Sequence, residues 1–477
     1  MSDRGDKANA RPDEELIDAS AIDQAESRHD EDDRLRPEYV NAVLDAVEDG
    51  DAERARDLVS PLHPADIADL LELTPADRRG AVAAALGDLV GAEVLSELND
   101  YVRDDLIGDL APEQVAGFAA ELDTDDAVAM IEDMDDADQQ AVLDALDPED
   151  RAAIESALSY PEESAGRLMQ RDLVAVPEHM TVGQVIDYLR DHGDLTADFW
   201  EIYVVDAMHR PVGYCQLSWI LTCPRSVAMA DLMKREQTLI PVDMDQEEVA
   251  LRFQKYALIS AAVVDASGRL VGMVTVDDVV HIIAEEAGED ILRLSGAGEG
   301  DINEPILMTV RARLIWLVVN LGTAMLAASV VGLFEGTIER FAMLAALMGI
   351  VSGMGGNAGT QTLAVVVRAL ATNQLTSSNT VRMIGREFRI AATNGATLGT
   401  LIAVGSYMLY GRLDLSLVFG AALLINNMVA GLAGVLVPIT LERNNIDPAV
   451  SSSVFVTTMT DTMGFFAFLG LATLFLR

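Results

Sequence analysis

Apolar positions along the chain follow three successive patterns. From about residue 37 to 158 they recur at helical spacing in short blocks: HPADIADLLEL, TPADRRGAVAAAL, APEQVAGFAAEL, TDDAVAMIEDM and DPEDRAAIESAL. All but APEQVAGFAAEL open on a polar residue, and each has Pro or an acid in the first turn. A polar cap satisfies the free N–H groups of a new helix, and Pro is tolerated where no N–H is needed. The blocks return at short, regular intervals, which predicts a stacked array of short helices over 37–158. Taken alone, such an array reads as a scaffold without chemistry. Residues 1–36 hold mostly Asp, Glu, Arg, Ala and Ser, and read as a disordered acidic tail.

From 159 to 285 the pattern changes. WEIYVVDAMHRPVGYCQLSWIL and SAAVVDASGRLVGMVTVDDVV are one device used twice: a β-branched strand, a turn at Asp206 or Asp265, a Gly opening a second strand, then a helix. Upstream, GRLMQRDLVAVPEHMTVGQVIDYLRDH aligns with ADLMKREQTLIPVDMDQEEVALRFQKY, so Leu168 corresponds to Leu232. This predicts a tandem α/β repeat, with copies over 159–222 and 223–282, and a connecting helix over 283–312.

From 313 to 477 lie five apolar spans, near 314–334, 341–367, 390–410, 415–441 and 448–476. Each reaches the ~20 residues needed to cross a bilayer. With the first 300 residues inside, the inner flanks carry Arg311, Arg313, Arg368, Arg382, Arg386, Arg389 and Arg443, and the outer flanks only Arg340, Arg412 and Arg477. That bias predicts a cytoplasmic N-terminus and an external C-terminus. Trp316 sits where an interfacial anchor would.

Charge divides the chain at the same place. Its net charge is −45, yet half of its residues are hydrophobic. Residues 301–477 are almost neutral, so the excess of acid lies in residues 1–300. So acidic a soluble half argues against nucleic acid as a partner, since phosphates are repelled. Only Lys7, Lys234 and Lys255 are lysines. Acid-rich, Lys-poor surfaces resemble those of halophile proteins, so much of the charge reads as adaptation to salt. Cys215 and Cys223 have no zinc spacing, and the N-terminus has no apolar signal core.

Against this background, Asp461 is the one ionisable side chain between Pro448 and Leu476. A carboxylate at mid-bilayer costs at least ~3 kcal/mol unless it meets a partner or water. Ser453, Thr457 and Asp461 stack on one helix face, and the only Arg residues lie at span ends, so a mobile cation is the expected partner. The stretch GMGGNAGTQT (353–362) interrupts span two. Its glycines allow close backbone approach or a broken helix, and Asn357 and Gln361 share one face. Asn394, Asn426 and Asn427 read as packing glue. A pair of catalytic aspartates for an intramembrane protease is missing, because only Asp461 is deep.

The tandem repeat resembles a pair of CBS domains, a regulatory module. With YPEESAGRLM (160–169), GMGGNAGTQ and DPAVSSSVFVTTMTD (447–461), the chain from about residue 40 to its end resembles the MgtE family of magnesium transporters and channels. The resemblance implies a multidomain, non-enzymatic protein: an all-α helical-repeat N-domain, an α/β tandem CBS pair and an α-helical membrane domain of five transmembrane helices. It implies a homodimer in the lipid of the cell (inner or plasma) membrane, with a Mg2+ pore between subunits lined chiefly by spans two and five. Asp461 matches the family's pore carboxylate, Thr457 and Ser453 its neighbours, and Asp447 an acid at the cytoplasmic mouth. The usual Asn-Pro before the Thr pair is Ser453-Val454 here. Asp245, Glu247, Asp278, Glu286, Glu289 and Asp290 match acids that hold regulatory Mg2+, while two others are Ala257 and His281 here. Thr275 and Asp278 form a T-x-x-D that can hold a ribose, which leaves ATP binding at the CBS domains open. The function implied is a Mg2+-selective channel or transporter that admits Mg2+ to the cytoplasm and closes when Mg2+ fills the soluble sites. The alternatives are a carrier of other divalents such as Co2+ or Mn2+, an ion-coupled exporter, and a membrane-tethered nucleotide sensor.

Overall fold

A computed structural model of the chain describes residues 28–108, 110–132, 134–191, 199–296, 302–450 and 452–476. It divides into two compact units, Met1–Val249 with Tyr256–Asp278, and Ala250–Lys255 with Val279–Arg477.

The first unit opens with short helices: α1 (Pro37–Glu48), α2 (Ala52–Val59), α3 (Pro64–Leu73), α4 (Ala76–Leu86), α5 (Ala92–Ser96), α6 (Asp100–Ile107), α7 (Pro112–Ala119), α8 (Thr124–Ile131), α9 (Asp136–Ala145) and α10 (Pro148–Leu158). Pro sits in the first turn of α1, α3, α7 and α10. Asp51 and Asn99 cap α2 and α6 by accepting from the backbone N–H of Arg54 and Tyr101. One apolar core runs through the array, from Leu35 and Val43 through Leu70, Leu95 and Ile131 to Ile154 and Ala157. Of the tail expected over 1–36, residues 1–27 lie outside the described residues. Residues 28–36 fold back on themselves: His29 bridges to Leu35, and Leu35 is buried in that core.

Two three-stranded sheets follow, with identical topology. β1 (Ala175–Pro177) runs parallel to β2 (Glu201–Val205), which pairs antiparallel with β3 (Pro211–Gln216). β4 (Leu239–Pro241), β5 (Ser260–Val264) and β6 (Leu270–Thr275) repeat that order. Helices α11 (Val182–Asp191), α12 (Leu217–Thr222), α13 (Met229–Leu232) and α14 (Gln246–Tyr256) connect them. Asp206 and Asp265 each accept two backbone N–H groups and close the β2–β3 and β5–β6 turns. The two sheets exchange edges: Gln170 bridges to Met273 of β6, and Lys234 to Tyr214 of β3. These crossovers explain the repeated glycine. A Cβ on Gly213 would come within 2.7 Å of the Lys234 carbonyl, and one on Gly272 within 2.8 Å of the Gln170 carbonyl.

The second unit takes in most of α15 (Val276–Ser295), which ends at Gly296 in a left-handed conformation (φ +67°). After it come α16 (Ile306–Gly332), α17 (Glu335–Arg340), α18 (Met343–Ala371), α19 (Thr380–Tyr410), α20 (Leu413–Arg443) and α21 (Ser452–Phe475). The connecting segment expected over 283–312 is thus not one element. Pro305 caps a new helix, and 306–312 belong to α16.

Among the described residues, three helices rather than five are long and apolar enough to cross a membrane: α16, α20 and α21. α18 and α19 are as long, but the Gly, Asn and Gln of 353–362 dilute α18, and beyond the charged start of α19 the Thr, Asn and Gly of 393–400 dilute it in turn. The stretch 353–362 does not break its helix, since α18 runs through it uninterrupted. Its glycines serve close approach instead. A Cβ on Gly359 would press on Val456 of α21, and Gly434 of α20 lies against the Gly359 carbonyl.

Candidate functional site

Asp461 sits midway along α21 and is half-buried. The Ser352 hydroxyl of α18 donates to its Oδ1. Among the described residues Asp461 makes no ion pair. Ser453 and Thr457 share its face and its partial exposure. Thr460, behind them, is fully buried and donates to the Thr457 carbonyl at 2.9 Å. Asn357 and Gln361 stand exposed along α18, on a face that the described residues leave uncovered.

The spacing of α18 and α21 is set by a third helix. Asn426 of α20 is fully buried and donates from Nδ2 to the Val351 carbonyl at 2.8 Å. Its amide lies against Gly355 of α18 and Gly464 of α21, and a Cβ on either glycine would overlap it. Both glycines stand one turn beyond the Ser352–Asp461 pair. Asn426, expected only as packing glue, wedges the two helices at the depth of the carboxylate.

Asp447, just before α21, accepts from the Ala449 N–H at 2.7 Å and pairs with Arg293 Nη1 at 2.9 Å. Arg293 also pairs with Glu289, one turn earlier on α15. The Ser453 hydroxyl donates to the Leu294 carbonyl at 2.6 Å. Burial raises the Asp290 carboxyl above its ordinary range, and the charges of Asp447 and Glu286 raise it further. Arg293 is thus shared by Glu289 and Asp447, and Asp290 senses the charges of Asp447 and Glu286.

In the first unit, Thr275 Oγ1 donates to Asp278 Oδ2 at 2.6 Å, and the Gln170 amide approaches the same oxygen at 3.4 Å. Burial lifts the Asp278 carboxyl to about 6, offset in part by the Thr275 hydrogen bond, with Asp277 and Asp126 adding repulsion. Asp125, 9 % exposed in the first turn of α8, is raised well above the carboxylate range by burial and then by Asp278. Its Oδ1 is buried without a hydrogen-bond partner. Asp245 precedes α14 and accepts from the Glu247 N–H at 3.0 Å. The six acids expected to hold regulatory Mg2+ thus fall in two places: Asp245, Glu247 and Asp278 in the first unit, and Glu286, Glu289 and Asp290 in the second. Among the described residues no three His, Cys, Asp or Glu side chains are gathered closely enough to hold a metal.

A separate cleft of about 660 Å3 opens between the sheets, lined by Glu201, Tyr214, Lys234, Gln237, Tyr256 and Ser260 among others. Tyr203 donates to Ser260 and Ser260 to Glu201, each at 2.9 Å. Burial raises the Glu201 carboxyl, with hydrogen bonds from Ser260 and Gln216 and the Lys234 charge opposing. Thr275 and Asp278 are not among its lining residues.

Ser352, Arg293 and Asp125 escaped the sequence reading. Ser352 abuts the glycine-rich stretch, and Arg293 follows Glu289 by one helical turn, so both had a signal. Asp125 had none, because an acid in a first helical turn is ordinary.

Comparison with known proteins places these features. A family described as a divalent cation transporter matches residues 348–471, the MgtE intracellular N domain matches 62–163, and the CBS domain matches 165–215 and 229–285. The chain is 33 % identical over 443 residues to the magnesium transporter MgtE of Thermus thermophilus, covering 91 % of this chain and 98 % of that one. It is 29 % identical over 442 residues to the magnesium transporter MgtE of Bacillus subtilis, covering 92 % and 98 %. A crystal structure of the cytosolic domain of the Mg2+ channel MgtE in complex with ATP is 33 % identical, with a TM-score of 0.47, covering 51 % of this chain and 99 % of that one.

Proposed function

Because the chain belongs to the MgtE family of magnesium transporters, we propose that it is a homodimeric, five-span channel that admits Mg2+ to the cytoplasm past Asp461 and closes when Mg2+ fills its acidic soluble region. The observation that carries the reading is the Asp461 carboxylate, placed mid-helix with a serine hydroxyl as neighbour and no cation paired to it among the described residues. Mg2+ gives up water reluctantly and is bound through a few carboxylates while it keeps several waters. Two Asp461 side chains facing across a dimer axis, with Ser453 and Thr457 hydroxyls beside them, would hold such an ion through its hydration shell. The uncovered Asn357 and Gln361 of α18 suit the other wall of that path. Asp447 would gather ions at its mouth.

Closure is proposed to draw on the paired acids. Asp125 and Asp278 are held together with their charges uncompensated, and a divalent cation would relieve that repulsion. Glu286, Glu289 and Asp290, where Arg293 already pairs with Glu289, would add further carboxylates for Mg2+, as would Asp245 and Glu247. A state in which these groups bind Mg2+ gains population by its differential affinity. For a nucleotide such as ATP, the cleft at Glu201 offers space that the mutually satisfied Thr275–Asp278 pair does not. Lys234 stands there against Glu201 and Glu236, a balance better suited to a base and sugar than to a triphosphate.

The test is Mg2+ uptake into proteoliposomes. Wild-type protein should carry Mg2+ down its gradient without added energy. Asp461→Asn should still assemble and should largely abolish that flux. Unchanged flux in the variant would overturn the assignment of the path.

A further inference from the structure

We infer that Arg293 is a positioning residue that seats the end of α15 on the pore mouth in the absence of any divalent cation. The inference deepens the conduction path proposed above and rests on it.

Three contacts converge within two residues of α15. The Arg293 guanidinium bridges Glu289 on its own helix to Asp447 at the start of the pore helix. The next carbonyl, of Leu294, accepts the Ser453 hydroxyl at 2.6 Å. The Leu294 side chain packs on the cluster of Leu363, Val367, Ala433, Ala449 and Val456, which joins α18, α20 and α21. Directly afterwards the helix stops, and Gly296 lies under the Trp316 ring, where a Cβ would come within 3.1 Å of it. The end of α15 is therefore held at one point by an ion pair, a hydrogen bond and apolar contact together.

Charge makes the arginine decisive among these. Glu289 and Asp447 both pair with it, and Asp290, raised first by burial, also feels the charges of Asp447 and Glu286. Without a cation the two sides of the seat, Glu289 and Asp290 on α15 and Asp447 ahead of α21, push apart. A guanidinium offers five N–H donors in a rigid planar fork and stays charged at any physiological pH. It can join two carboxylates as a metal ion would, but it is tethered. Mg2+ approaching Asp447 meets a carboxylate that Arg293 already holds, so the arginine and a divalent cation act on the same contact.

The experiment reads the seat directly. In full-length protein with Cys215→Ala and Cys223→Ser, the pair Leu294→Cys and Ser453→Cys is treated with a short thiol cross-linker in EDTA. With Arg293 present, cross-linking should be fast. Arg293→Gln should slow it about fivefold, the most a half-exposed ion pair supports. Arg293→Lys should recover most of the rate, and millimolar Mg2+ should recover it in Arg293→Gln. An unchanged rate in Arg293→Gln, or a loss that neither lysine nor Mg2+ restores, would overturn the inference. Mg2+ flux through the parent protein is measured on the same preparation. Its absence would strike the proposed path, whereas a failed cross-linking test with normal flux would strike only Arg293.

Discussion

The Ser352 hydroxyl of α18 donates to Oδ1 of Asp461 on α21, and so joins the two helices at the one deep charge of the apolar half. A hydrogen bond to a charged group fixes one oxygen and leaves the other free for a hydrated ion. Removing the donor should free the carboxylate to swing without deleting its charge. Ser352→Ala is therefore expected to lower Mg2+ flux by about tenfold, the ~1.5 kcal/mol at the low end for a bond to a charged group. Ser352→Thr, which keeps the hydroxyl, should lie closer to wild type. A Ser352→Ala flux equal to wild type would show that the contact does not orient the acid.

The neighbouring glycines make a steric prediction. Asn426 fills the space that a side chain on Gly355 or Gly464 would need. Gly355→Ala should destabilise the protein by about 1–3 kcal/mol, the usual cost of overpacking a tight interior. The check is thermal unfolding in detergent. Combining Gly355→Ala with Asn426→Ala removes the overlap, so the pair should cost less than the sum of the two single changes. Strict additivity would mean that the amide does not set the helix spacing.

Much of this arrangement was legible in the sequence, and the reasons are physical. Helix starts marked by Pro and Asp, as at Pro64 and Pro148, declare themselves locally, and so do strand pairs turned by Asp206 and Asp265. Asp461 stood out because lipid makes a lone carboxylate costly. What stayed hidden is long-range pairing. Nothing local says that Arg293 reaches Asp447, or that Asp125 faces Asp278 rather than water. The glycine run of α18 was ambiguous for the same reason. Breaking a helix and admitting a neighbour demand the same residue, and only Val456, Asn426 and Gly434 decide for the neighbour.

The acid excess makes a prediction about salt. The chain carries 78 acidic against 33 basic residues, and almost all of the excess precedes residue 301. Molar salt shortens the screening length to about 3 Å, so self-repulsion in that half should fade. Thermal unfolding of the full-length protein in detergent, followed by the fluorescence of Trp200 and Trp219, should move to higher temperature between dilute buffer and molar KCl. An unmoved transition would remove the reading of this charge as an adaptation to salt.

The last prediction concerns pH and the Asp125–Asp278 pair. In the folded protein the Asp278 carboxyl titrates at about 6, against an ordinary value of 3.8, and Asp125 is raised as well. Between those values the native state holds more protons than the unfolded one, so stability falls as pH rises and levels off above the folded value. In EDTA the unfolding temperature should therefore drop from pH 5 to pH 7. Glu201 and Asp290 are also raised and add to the slope with the same sign. Asp278→Asn should remove its own share and flatten the profile. Mg2+ should oppose the drop, because a divalent cation takes the place of the lost proton between the two carboxylates, and its stabilising effect should be larger at pH 7 than at pH 5. In Asp278→Asn that difference should shrink. A Mg2+ effect of equal size at both pH values, or one untouched by the substitution, would place the stabilising cation elsewhere and take Asp125 and Asp278 out of the regulatory scheme.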